Sequence, residues 1–174
     1  NEGYAAAWLG ERSPLRADAL TVSGYLGVGA LAPFVTLATE TSRGVFVLAA
    51  TSNDAGGEVQ LARRPDGRRV QEWVIDEVAA LNGRDDGRGS VGVVIGATRD
   101  APDADLARLG GPVLVPGLGA QGAGPADAAR VSARCARDSV LGSVSRGVAD
   151  AGPGARPLGD AAARWRDDLA AALA

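Results

Sequence analysis

At 174 residues and 17.5 kDa, with 46% apolar and 22% charged content, the chain is long enough to bury one core and fits a single domain, 1–174. Its 18 basic residues are all arginine, and with no lysine and no histidine it can supply neither a Schiff-base or Walker lysine nor an imidazole base. A formal charge of -3 without a basic stripe leaves nucleic acid an unexpected partner, and a lone Cys135 excludes internal disulfides and thiolate metal sites.

The chain opens at Asn1 and contains no methionine, so its beginning reads as set by processing or truncation. No basic flank precedes an apolar run near Asn1, and no stretch of about 18 uninterrupted apolar residues occurs. A soluble, cytoplasmic protein without a membrane partner is the expectation. Short β-branched runs predict strands over 19–23, 45–50, 91–96, 113–116 and 140–145. Between them Val70, Trp73, Val74, Val78 and Leu81 recur at helical spacing. A shorter helix is expected over 103–109. Pro125 behind Gly124 suits the first turn of a helix reaching Cys135, and 158–173 forms the last. Segments 84–90 and 150–157 read as surface loops. Strand alternating with helix is the pattern of a parallel α/β sheet, and near-continuous hydrophobicity in the strands predicts cover on both faces, in a doubly wound fold or a (βα)8 barrel.

Polar and glycine-rich residues follow the carboxyl end of each strand, where such folds keep their sites. Gly117-x-Gly119-x-x-Gly122 could cradle a phosphate with backbone N–H groups, spell a dinucleotide fingerprint with Arg146 as partner to an NADP 2′-phosphate, or simply turn tightly. Only one further strand follows it, which counts against a Rossmann unit. Ser145, Arg146 and Gly147 leave the last strand, and adjacent turns of this kind can share one phosphate, with Gln121 and Arg146 as donors. An ordinary surface ion pair is the plainer role for Arg146. Thr51, Ser52 and Asn53 offer hydroxyls and an amide to a polar heterocycle, or form a local turn. Asp18 lies at the wrong end of its strand and reads as structural, beside Thr21. Trp8, Trp73 and Trp165 read as helical packing residues.

Asp18-Ala-Leu-Thr-Val-Ser23-x-Tyr25-Leu-Gly27, Val47-Leu-Ala-Ala-Thr51-Ser52-Asn53, Val94-Ile-Gly-Ala-Thr98, Pro116-Gly-Leu-Gly-Ala-Gln-Gly122 and Ser145-Arg146-Gly147 occur in this order along the chain. Together they resemble the orotidine 5′-phosphate decarboxylase family, and its actinobacterial branch most. The resemblance implies a (βα)8 TIM barrel of which five βα units, strands 4 to 8, are present. It also implies a homodimer that converts orotidine 5′-monophosphate to UMP with no cofactor. By the same resemblance Gln121 and Arg146 hold the 5′-phosphate, assisted by Gly122, Ser145 and Gly147, and Ser52 meets the pyrimidine. The family's reacting centre is an Asp-x-Lys-x-x-Asp motif; with no lysine here, no catalytic residue is carried over. A barrel typically takes about 250 residues, which makes this chain a carboxyl-terminal portion. Three other readings stand beside it: a non-catalytic phosphate-binding protein derived from the barrel, a barrel acting on a sugar phosphate, and an NADP-dependent Rossmann reductase.

Overall fold

The computed structural model describes residues 1–83, 89–100, 102–136 and 138–174. Along them run α1 (Glu2–Leu9), β1 (Ala19–Ser23), a 3₁₀ turn (Val28–Leu31), α2 (Ala32–Glu40), β2 (Gly44–Ala50), α3 (Gly56–Gln60), α4 (Val70–Asn82) and β3 (Val91–Ile95). A second 3₁₀ turn (Leu106–Arg108), β4 (Val113–Leu118), α5 (Pro125–Ser132), β5 (Val140–Val144), α6 (Arg146–Ala149) and α7 (Ala155–Leu173) follow.

All five strands are parallel and lie side by side in chain order. A doubly wound sheet reverses its strand order at a switch point. No reversal occurs among these strands, so the Rossmann expectation, and with it the NADP reading, is not met. Sequential winding is what a barrel wall requires.

Cover on both faces was the second expectation, and the register shows why it fails. The row Val22, Val47, Val93, Val113 and Val140 crosses the sheet on one face, and its first four members are at most 8% exposed. The opposite row, Ser23, Leu48, Val94, Leu114 and Leu141, is shielded only in the middle, and Leu141 is 50% exposed. Adjacent side chains on a strand point to opposite faces, so helices cover one face and the other is open. Continuous apolar strands signal that both faces are meant to be buried.

The helical stripe forms α4, with Val74, Ile75 and Val78 buried and Trp73 half-buried under the Arg64 guanidinium, 4.5 Å from the ring centroid. At its end Asn82, 4% exposed, donates from Nδ2 to the carbonyls of Val91 (2.7 Å) and Leu109 (2.9 Å), and its Oδ1 accepts from Val91 N–H (3.3 Å). One amide thus ties the helix end to the start of β3 and the turn before β4.

Several local expectations shift. The 103–109 segment holds only the 3₁₀ turn, because Pro102 and Gly110 confine it. The helix expected to reach Cys135 stops at Ser132, with Cys135 in the turn beyond. The last helix starts three residues early, at Ala155, which shortens the 150–157 loop. Of the loop at 84–90, residues 84–88 lie outside the described residues. Trp73 and Trp165 pack on the core, but Trp8 is 39% exposed. Helix α2, which carries Phe34 and Ala38 into the core, has a short apolar stripe that sequence periodicity did not single out. Among the described residues no helix is long and apolar enough to cross a membrane.

Candidate functional site

In a parallel sheet every strand ends at the same rim, so turns far apart in sequence become neighbours there. The turn after β4 is shaped by three glycines with positive φ, Gly117 (99°), Gly119 (79°) and Gly122 (95°), a region that side-chain-bearing residues avoid. Its backbone is already partly used. Gly122 N–H donates to Gly119 O (2.8 Å) and Gly119 N–H to Ala123 O (2.8 Å), so both are engaged inside the turn. The N–H groups of Ala120 and Gln121 make no hydrogen bond among the described residues.

The turn after β5 places Ser145 immediately before α6, where its carbonyl accepts from the N–H groups of Val148 (3.1 Å) and Ala149 (3.0 Å). Arg146 opens this helix, is exposed, and forms no ion pair among the described residues. The two turns touch. A methyl group on Gly119 would lie 3.3 Å from Gly147 Cα, so the backbones of the glycine turn and the arginine turn meet without side chains between them.

The loop after β2 divides. Thr51 and Asn53 satisfy one another: Thr51 Oγ1 donates to Asn53 Oδ1 (2.5 Å), Gln60 Nε2 donates to Thr51 Oγ1 (2.7 Å), and Thr51 N–H donates to Gln60 Oε1 (3.0 Å). Both side chains are thus engaged within the loop and with Gln60. Ser52 instead reaches across the rim, its hydroxyl donating to Gln121 Oε1 at 2.9 Å. Asp18 stays at the other end of β1, where its carbonyl accepts from Gly44 N–H (2.9 Å), and Thr21 is exposed on the open face.

Two arginines outside the expected site fix this rim. Arg99 donates from Nε to Thr51 O (3.1 Å) and from Nη2 to Asn53 O (2.8 Å). Arg130, from α5, donates to the carbonyls of Ala97 (2.7 Å) and Arg99 (2.9 Å). Guanidinium forks on strand-end carbonyls rigidify loops, and Arg130 also pairs with Asp127 on its own helix (3.7 Å). Only their carbonyl acceptors identify them, and those come from other loops, so no sequence signal marks them.

A cavity of about 510 Å³ lies beside the rim, lined by Ser23, Thr51, Asn53, Gln60, Arg64 and Trp73 among others. Gln121 and Arg146 do not line it, and their shelf is open. Among the described residues no group of three or more histidines, cysteines or carboxylates could hold a metal ion.

The winding and the strand-end loops define a protein of the α/β class with a sequentially wound parallel sheet and its glycine-rich turns at the carboxyl rim. The family profile described as orotidine 5′-phosphate decarboxylase / HUMPS family matches residues 2–158. The chain belongs to that family. It is 52% identical to an orotidine 5′-phosphate decarboxylase of Salinispora tropica over 170 residues, covering 98% of this chain and 61% of the relative. It is 48% identical to that of Streptomyces coelicolor, again covering 98% and 61%. A crystal structure assigned to an orotidine 5′-phosphate decarboxylase of Streptomyces avermitilis superposes with a TM-score of 0.85 at 47% identity, covering 99% of this chain and 60% of that one. The chain therefore spans about 61% of the length of the curated relatives it matches.

Proposed function

We propose that this chain supplies the phosphate and pyrimidine contacts of an orotidine 5′-phosphate decarboxylase, as the last five βα units of its barrel. The observation that carries this reading is the meeting of Gly119 and Gly147 at one rim, beside an exposed Arg146 without an ion-pair partner among the described residues. In it the Arg146 guanidinium and the Gln121 amide grip the 5′-phosphate, with the N–H groups of Ser145 and Gly147 nearby. Gly122 acts by shaping its turn, since its own N–H is occupied. The Ser52 hydroxyl meets the pyrimidine edge and, through Gln121, links the base end of the nucleotide to the phosphate end.

Such contacts lie far from the bond that breaks. Their binding energy becomes useful when it is realised in the transition state, with the nucleotide held so that carbon dioxide departs from a fixed carbon. The charged groups at the reacting carbon, a lysine and carboxylates in this family, are assigned to the part of the relatives' length that this chain does not span. The reading calls for no cofactor, and its setting is a cytoplasmic homodimer.

Joining the preceding residues of the Salinispora tropica relative in front of Asn1 gives the test. The folded chimera should release carbon dioxide from orotidine 5′-monophosphate, and should lose that activity when the relative's lysine is replaced by alanine. A folded chimera that binds UMP yet leaves the substrate intact would overturn the catalytic assignment in favour of a binding protein.

A further inference from the structure

Trp165 stands on α7, seven residues beyond the end of the family match at residue 158, and has no place in the site described so far. Its indole nevertheless touches both turns of the proposed phosphate shelf. A methyl group on Gly119 would lie 3.2 Å from Trp165 Cζ2, and one on Gly147 would lie 3.1 Å from Trp165 Nε1 and 3.0 Å from Val144 Cγ1. The two glycines thus lie against neighbouring atoms of one indole as well as against each other. Helix α7 also contacts α5 and α6, the helices that follow the two turns. Among the described residues no hydrogen-bond acceptor is placed on the indole N–H, so the ring is held by shape alone.

We infer that Trp165 is a positioning residue for phosphate recognition: its indole forms the common wall that keeps the Gly117–Gly122 turn and the Ser145–Gly147 turn at the spacing one phosphate needs. This rests on the proposed phosphate site. Turns meeting backbone to backbone have no side chains of their own to fix their distance, and a rigid planar ring behind both supplies that constraint. A site loosened by about 1 Å loses its preorganised geometry even though every ligand-touching group remains.

The test compares UMP with uridine, by calorimetry, on the chain and its variants. Trp165→Leu should weaken UMP on the order of tenfold while leaving uridine unchanged, and Trp165→Phe, which keeps a flat wall, should recover most of the loss. Should Trp165→Leu fail to fold, Trp165→Phe is read beside a Trp8→Phe, Trp73→Phe variant, in which Trp165 is the sole indole. Its emission should then change on adding UMP and not on adding uridine. Full UMP affinity in folded Trp165→Leu, or an unresponsive Trp165 emission, would overturn the inference. Failure of the phosphate reading itself looks different: the unaltered chain would bind UMP no better than uridine, and Arg146→Ala would change nothing.

Discussion

The Ser52 hydroxyl donates to Gln121 Oε1 at 2.9 Å across 69 residues of sequence, joining the loop after β2 to the glycine turn after β4. Each side chain therefore restrains the other, and the two should act as a unit on a nucleotide that touches both. Ser52→Ala should cost UMP binding about 1 kcal/mol, the net worth of one neutral hydrogen bond, and Gln121→Ala about 1 to 2 kcal/mol, since its amide faces an anion. The double variant should cost less than the sum, measured as a double-mutant cycle of UMP dissociation constants. Strictly additive losses would mean that the contact does not couple the loops.

Arg146 is the strongest single handle on the phosphate in the proposed function. Arg146→Ala should remove about 2 kcal/mol of UMP affinity, as expected for a charged hydrogen-bond partner, while uridine binding is unaffected. The difference between UMP and uridine should also shrink as salt is raised, because the guanidinium is exposed. Equal losses for both ligands would place Arg146 away from the phosphate.

Stability depends more sharply on Asn82 than its polar type suggests. Asn82→Ala strips partners from the carbonyl of Leu109 and from the N–H of Val91, which are buried groups that must otherwise be desolvated without compensation. A loss of about 2 to 4 kcal/mol in urea unfolding is expected from the broken bonds and the void together. A shift below half a kcal/mol, on the order of an ordinary surface substitution, would show that water replaces the amide.

Cys135 gives the chain a pH dependence of known sign. Burial pushes its thiol up from 9.0 to about 11, against the opposing pull of the Arg134 guanidinium. The folded state holds this proton more tightly than the unfolded chain does. The resulting stability is fully present below pH 9 and is lost as pH rises through 11. Urea melts of the chain and of Cys135→Ser should therefore converge or cross between these limits, and thiol labelling of the folded chain should stay slow at pH 8. Parallel stability curves over that range would show the thiol to be unshifted.

Much of the architecture is legible in the sequence, because its causes are local. Val91 to Ile95 is a β-branched run and forms a strand; Val74 and Val78 fall on one helical face and bury it. The segments that misled are those where local signals are weak or cut short, as at 103–109 between Pro102 and Gly110. The candidate site was half legible. Arg146 and Gln121 could be picked out because each stands in a glycine-bearing turn after a recognisable strand, whereas Arg99, Arg130 and Trp165 do their work through backbone carbonyls and glycine backbones that only the fold brings near.

The sequence by itself determined the strands, the turns that end them, and that this chain brings no lysine or imidazole of its own, since short-range sterics, hydrophobic period and composition act residue by residue. Tertiary structure decided which turns touch, that Gly122 N–H bonds inside its own turn, that Thr51 closes on Asn53 while Ser52 crosses to Gln121, and that one sheet face stays uncovered. Those outcomes depend on contacts between residues tens of positions apart, whose geometry follows from packing and is encoded in no single stretch of chain.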